Sequence, residues 1–115
     1  MKKNYLLDYS ERLTKDINVL CAALHNEKNV VFQIKKSSSS VFANIREANY
    51  GQSVADMISK FEIALKEVYE TEGWIVVLSN DRKINDNTFK DIRNLCGRIR
   101  RLLISSIKTL KSKND

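Results

Sequence analysis

The chain is 115 residues long and 43% of them are apolar, which suffices for one hydrophobic core but not for two. It contains no proline and only three glycines, so the turns of a β-sandwich or barrel are nearly excluded and long helices are the natural alternative. No uninterrupted apolar stretch approaches the length of a membrane span, and charges interrupt the N-terminal segment, so we expect a cytoplasmic protein without a signal peptide.

The net charge of +6 is unevenly distributed along the sequence. Residues 86–115 carry eight basic side chains against three carboxylates, whereas residues 53–80 carry two against five. This asymmetry favours an anionic partner, or it lets two neighbouring helices or two subunits attract each other. The sequence leaves both alternatives open.

The first half of the sequence predicts two amphipathic helices, over residues 5–25 and 29–49. In each segment apolar side chains recur at three-to-four spacing, and a short polar stretch separates the two. The second segment contains the run Ser37 to Ser40, which resembles a linker by composition, but the apolar stripe continues through it in register. We therefore expect these serines to lie on a helix face where small side chains allow close approach.

The second half predicts two longer helices, over residues 53–80 and 86–111. Both carry an extended apolar stripe, and the connections between all four segments are short. Four such helices pack as an antiparallel up-down-up-down bundle. The predicted fold class is therefore all-α, with a single four-helix bundle domain over residues 1–115.

Three local signals mark the ends of these helices. Gly51 is suited to the left-handed conformation that closes many helices. Ser53 with Asp56 three residues later has the pattern of a helix N-terminus. Asp86 or Asn87 is the expected N-cap of the last helix.

Chemical sites are scarce in this sequence. His25 is the only histidine, no Glu-x-x-His pair is present, and Cys21 and Cys96 have no metal-ligand spacing. A catalytic Cys–His pair requires His25 beside one of the cysteines, which we instead interpret as buried free thiols. The sequence therefore predicts no catalytic residue, metal site, cofactor or small-molecule substrate, and a protein that works by binding partners.

The last predicted helix carries the strongest nucleic-acid signal. Arg98, Arg100 and Arg101 form a cluster of guanidinium groups, which can neutralise phosphates, and we expect them to be largely exposed. The alternative is that the cluster is only a solvated helix face, as such runs commonly are. Successive helical residues rotate by about 100°, so Lys90, Arg101 and Lys108 form the best aligned set. The candidate nucleic-acid-binding residues are Lys90, Arg93, Arg98, Arg100, Arg101, Lys108 and Lys111.

Aromatic residues are the other feature of RNA-binding surfaces, since bases stack on them. Tyr50, Tyr69 and Trp74 are the candidates for such a platform. Trp74 lies within an apolar run, so a place in the core or at a subunit interface is favoured for it over base stacking.

Several short segments resemble one bacterial family. They are the stretch from Ser40 to Ala48, Gln52-Ser53, the stretch from Ile63 to Glu67, Glu70-Thr71 and Trp74. Together they resemble the four-helix bundle proteins known as 23S rRNA intervening-sequence proteins, which implies a homopentamer. Open reading frames of that family often lie within intervening sequences of ribosomal RNA genes. A related branch comprises accessory proteins of diversity-generating retroelements, which bind RNA and a reverse transcriptase.

The resemblance also singles out polar residues and two departures from the family pattern. Asn44 and Glu47, and likewise Glu67 and Glu70, are three positions apart, so each pair shares a helix face. We interpret these four residues as a structural polar network between the second and third helices, partly buried. Phe42 is larger, and Gly73 smaller, than the residues usual in the family, which predicts different local packing.

Two functions compete at this point. The leading hypothesis is an oligomeric protein whose basic last helix binds structured RNA or a ribonucleoprotein. The alternative is a protein–protein adaptor, including a reverse-transcriptase accessory, whose basic face meets an acidic partner without nucleic acid. The sequence identifies neither the RNA nor the partner.

Overall fold

The computed structural model describes residues 4–114, which form four helices. They are α1 (Tyr5–Ala22), α2 (Lys28–Ala48), α3 (Val54–Asn80) and α4 (Asp86–Asn114). Five-residue connections reverse the chain after each of the first three helices, and α1 closes the bundle by packing against α4. The predicted all-α four-helix bundle is confirmed.

One apolar stripe from each helix fills the interior of the bundle. The three-to-four spacing of these residues places them on a single face of each helix. The largest fully buried apolar side chains are Leu13, Ile17, Ile34, Val41, Ile45, Val68, Ile75, Leu78, Ile99 and Leu103. Their burial fixes the rotation of each helix about its axis, and hence the direction of every polar side chain on it.

Of the predicted helix N-caps, the one for α3 is correct and the one for α4 is not. Ser53 caps α3 as predicted, since its hydroxyl accepts a hydrogen bond from the Asp56 amide at 3.0 Å. The predicted cap of α4 at Asp86 or Asn87 is wrong, because the Asn85 side chain accepts the bond from the Thr88 amide at 2.8 Å. α4 also continues beyond residue 111 to Asn114.

The prediction of a left-handed Gly51 is also wrong, because no glycine of the chain has a positive φ. Space is limited at Gly51 instead: a Cβ there would lie 2.7 Å from Met57 Cγ and 3.1 Å from the Ala48 carbonyl oxygen, so Met57 would have to shift. Among residues 4–114, the left-handed conformation is found at Asn26, with φ of 63°, and at Arg82, with φ of 56°. Asn26 turns the chain between α1 and α2, so residues 23–25, which we predicted as helical, lie outside α1.

The serine run of α2 makes the buried polar contact between α2 and α3. Ser37 and Ser38 are buried within the helix, as the unbroken apolar stripe predicts. The Ser37 hydroxyl lies 2.8 Å from the Thr71 hydroxyl, which is fully buried on α3. Ser37 also contacts the Ile34 carbonyl, and Thr71 donates to the Glu67 carbonyl. The small side chains bring the two helices close and satisfy each other's polar atoms.

We expect Thr71→Val to lower the free energy of unfolding by about 1–2 kcal/mol, because it removes one partner of a buried hydrogen bond. In a Ser37→Ala background the same substitution is expected to cost less, since the Ser37 hydroxyl is already gone. Denaturant unfolding at fixed protein concentration measures both. Ser39→Ala is the matched control, because this serine makes the same type of bond to a backbone carbonyl on the exposed face. Additive losses in the double variant would contradict the coupling.

Candidate nucleic-acid interface

Helical geometry distributes the seven predicted basic residues of α4 over three faces. Lys90, Arg101 and Lys108 lie opposite the buried stripe, and all three are exposed. We call these three residues the outer stripe. Arg98 lies on the flank facing α1. The residues on the flank facing α3 are Arg93, Arg100 and Lys111.

Arg100 is committed to an ion pair within the bundle. Its Nε and Nη2 donate to the two carboxylate oxygens of Glu72 at 2.8 and 3.1 Å, and its guanidinium lies 5.6 Å from the centre of the Tyr69 ring. The hydrogen bonds to Glu72 raise the pKa of Arg100. Only 29% of the Arg100 side chain and 16% of that of Glu72 are exposed. The prediction that Arg100 is largely exposed is therefore wrong, because its position on the helix faces α3.

The other two residues of the α3 flank also have partners. Lys111 Nζ lies 3.5 Å from a carboxylate oxygen of Glu62, and Arg93 lies over the Phe89 ring at 5.6 Å. Both contacts are exposed to solvent, so they restrain these side chains more weakly than Glu72 restrains Arg100. The basic side chains of the α3 flank thus all have partners within the same chain, which reduces the charge they offer to another molecule.

The outer stripe, unlike the α3 flank, lacks carboxylate partners in the described part of the chain. Within residues 4–114, no carboxylate lies within 4.0 Å of the charged groups of Lys90, Arg101 or Lys108. Lys90 and Lys108 are 18 positions apart, five turns of the helix, and Arg101 lies about 20° from their common direction. The three residues therefore form a line of cations along α4 whose charges are not neutralised locally.

A concave pocket lies beside this line, between the first turns of α1 and the middle of α4. It has a volume of about 300 Å³ and is lined by Tyr5, Tyr9, Arg98, Arg101 and Leu102. The Arg98 guanidinium lies 6.0 Å from the centre of the Tyr9 ring. Sequence reasoning missed this pocket, although two tyrosines four residues apart at the start of α1 were a signal for it.

The aromatic residues that we considered for base stacking lie elsewhere. Tyr50 is 77% exposed in the connection after α2, and Tyr69 lies on α3, where the Arg100 guanidinium approaches one face of its ring. Trp74 packs against the core, and its Nε1 is buried without a hydrogen-bond partner within the described residues. The structure does not bring these three together into one platform.

The predicted polar residues between α2 and α3 take part in separate contacts. The Asn44 amide donates to the carbonyl and hydroxyl of Ser40 on its own helix. Glu47 forms an exposed ion pair with Lys60 of α3 at 3.5 Å. Burial raises the pKa of Glu67, and the charge and hydrogen bond of Glu70 raise it further. Glu67 and Glu70 are thus one coupled pair, whereas the direct polar link in the buried α2–α3 interface is the Ser37–Thr71 contact.

A larger groove runs between α3 and α4 on the other side of the outer stripe. It has a volume of about 640 Å³. Its apolar surface comes from Leu65, Tyr69, Ile104 and Ile107, and its charged rim from Glu62, Lys66, Lys108 and Lys111. Because Ile104 is 47% and Tyr69 is 52% exposed, this groove presents apolar surface to solvent.

The cysteines are free and buried, as predicted. Burial raises the pKa of Cys96 to about 12 and also raises that of Cys21. A thiol with such a pKa is protonated at neutral pH and is a poor nucleophile. Within residues 4–114, no three His, Cys, Asp or Glu side chains are grouped as a metal site requires.

Comparison with known proteins agrees with this fold. The sequence matches the family described as 23S rRNA-intervening sequence protein over residues 2–105. The chain belongs to this family. A crystal structure of a protein of unknown function from the S23 ribosomal protein family of Bacteroides thetaiotaomicron VPI-5482 is 40% identical, with a TM-score of 0.84. The alignment covers 90% of this chain and 98% of that one. No curated protein gives a significant match.

Across residues 4–114, no helix combines the length and the apolar character that a transmembrane segment needs.

Arg100 and Arg101 are adjacent on α4, so matched substitutions at the two positions test whether the Arg100–Glu72 ion pair stabilises the bundle. We expect Arg100→Gln to lower the free energy of unfolding by about 1–2 kcal/mol, because the half-buried Glu72 loses two charged hydrogen bonds. Arg101→Gln is the control, and we expect it to change stability by less than about 0.5 kcal/mol, since that side chain is exposed. Urea unfolding compares the two variants. Equal losses would contradict the structural role of Arg100.

Proposed function

We propose that this protein is a non-catalytic, cytoplasmic protein that assembles into a homopentamer and associates with structured RNA or a ribonucleoprotein. The observation that carries the proposal is the outer stripe of α4, a line of three exposed cations without carboxylate partners in the described part of the chain. Such a line suits the phosphate backbone of RNA, which is a regular array of negative charge. Membership of a family named for 23S rRNA supports the same partner class.

Assembly multiplies this charge. A single chain carries +6, so a ring of five carries about +30, and the outer stripe is repeated five times around it. Each stripe alone spans about 27 Å from Lys90 to Lys108, at 1.5 Å per helical residue. Weak phosphate contacts at several copies add up to strong, salt-dependent binding without recognition of a particular sequence.

The exposed apolar residues support assembly. Ile63, Val76, Val77 and Ile104, which lie off the inner stripes, are 38% to 47% exposed. Phe42 of α2, which we also expected to lie off the inner stripe, is half-buried and contributes less. Apolar patches of this kind mark contacts between proteins.

Charge complementarity supports one particular contact between copies. The side of α3 away from α4 presents Ile63 and Val77 together with the carboxylates of Glu67 and Glu70. The α3–α4 groove presents apolar surface rimmed by three lysines and Glu62. Docking the acidic edge of one copy on the groove of the next makes a heterologous contact, the type that closes into rings. The Glu67–Glu70 pair, whose mutual repulsion Lys36 and Lys66 offset only in part within one chain, would then face further cations.

We expect multi-angle light scattering at micromolar concentration to give a mass of roughly 66 kDa, five times the 13.3 kDa of one chain. Ile104→Asp is expected to yield monomers, because it places a carboxylate in the apolar groove. Val19→Asp is the control, since Val19 is 74% exposed on α1 and outside the groove. A wild type that is strictly monomeric would overturn the assembly.

For RNA, we expect a Lys90→Glu, Arg101→Glu variant to bind structured RNA at least tenfold more weakly than the wild type, because it reverses two phosphate-facing charges. Lys108 is left unchanged, since it also lines the groove assigned to assembly. Titration at two salt concentrations should show wild-type affinity falling as salt rises.

A Lys35→Glu, Arg46→Glu variant is the matched control for this titration. It changes the net charge equally, on exposed positions of α2. Equal weakening in both variants would mean that net charge alone matters and that the outer stripe is not the site. Absence of wild-type binding at low salt would favour the adaptor function, in which the basic face meets an acidic protein.

A further inference from the structure

The pocket between α1 and α4 differs chemically from the larger α3–α4 groove. Its lining consists of two tyrosines, two arginines and one leucine. The Tyr5 and Tyr9 ring centres are 5.8 Å apart and the rings are tilted by 37°. The α3–α4 groove, by contrast, has about twice the volume, at 640 against 300 Å³, and a mainly aliphatic surface with lysines.

We propose that this pocket binds one unpaired RNA base, with the phosphate of the same or the adjacent nucleotide held by Arg98 and Arg101. The inference rests on the proposed RNA association and assigns a subsite within it. Unpaired bases stack on tyrosine rings and on the planes of guanidinium groups, and both are present here. A lysine-lined surface supplies charge but no such flat partner.

The position of the pocket supports the same ligand. Arg101 belongs both to the outer stripe and to the pocket lining, so an RNA backbone following the stripe passes the mouth of the pocket. Arg98 lies on the other side, over the Tyr9 ring. A nucleotide that leaves its helix at this point keeps its phosphate between two guanidinium groups while its base reaches the rings.

The size of the pocket argues against a protein ligand. An acidic amphipathic helix needs an elongated apolar groove for side chains spaced over several turns. This pocket offers a single leucine and two rings over about one turn of each helix, which suits one planar group. Both guanidinium groups are exposed and no acidic side chain is among the lining residues, so an anionic ligand is favoured over a cationic one.

The proposal predicts that the protein distinguishes RNA with unpaired nucleotides from fully paired RNA and from the bare backbone. We expect wild type to bind a ten-nucleotide oligouridine about tenfold more tightly than an abasic strand of equal charge, since one stacked base contributes on that scale. A Tyr5→Leu, Tyr9→Leu variant is expected to lose this preference. Tyr5→Phe, Tyr9→Phe, which keeps the rings, should retain it.

Fluorescence anisotropy with labelled oligouridine, abasic strand and a paired duplex measures these affinities at one salt concentration. Duplex binding should be unchanged in the leucine variant, which separates the pocket from the outer stripe. In the Lys90→Glu, Arg101→Glu variant all three ligands should bind more weakly. Equal wild-type affinity for oligouridine and the abasic strand overturns the base pocket and leaves the proposed RNA association standing. No wild-type binding to any of the three overturns both.

Ultraviolet cross-linking of wild-type protein to oligouridine gives an answer that does not depend on a folded variant. Peptide mass spectrometry should locate cross-linked uridine on Tyr5 or Tyr9. Cross-links confined to other residues overturn the proposal. If an acidic peptide competes for oligouridine and protects the same tyrosines, the pocket is a protein-binding site and the base assignment is wrong.

Discussion

Burial of one apolar stripe on α4 is the constraint on which the surface of this protein depends. Ile99 and Leu103 are fully buried between α1 and α3, so the helix has a single allowed rotation. Every basic side chain is then directed by its distance in sequence from that stripe, at about 100° per residue. The same packing that stabilises the bundle therefore decides which cations form ion pairs, which face solvent and which flank the tyrosines of α1.

Arg100 and Arg101 show the effect of this fixed rotation of α4. They are chemically identical and adjacent, yet one donates two hydrogen bonds to Glu72 and the other is exposed. A rotation of 100° moves a guanidinium from an interhelical ion pair to the outer face of the bundle. Counting basic residues thus overestimates the charge available to a partner, because part of the charge on α4 is balanced by the acidic residues of α3.

The sequence predicts the features that depend on periodicity and leaves out those that depend on contact between helices. Four helices, their order and the burial of Ser37 follow from apolar spacing within each segment. The Ser37–Thr71 hydrogen bond joins residues 34 positions apart, and the Arg100–Glu72 pair joins residues 28 apart, so neither is visible in a local pattern. The prediction for Gly51 is wrong for a different reason: its backbone angle is ordinary, and its small size instead leaves room for the Met57 side chain six residues further on.

Of the two departures from the family pattern, Gly73 has a consequence that the folded chain makes visible. A Cβ at Gly73 would meet no atom within 4 Å, so the glycine is not required by the packing of a single subunit. It lines a cavity of about 290 Å³ next to Glu72 and Arg93, on the same side of α3 as the α3–α4 groove. A bulkier residue at this position would extend into that cavity beside the Arg100–Glu72 pair. Gly73 thus leaves open a cavity beside the ion pair that joins α3 to α4.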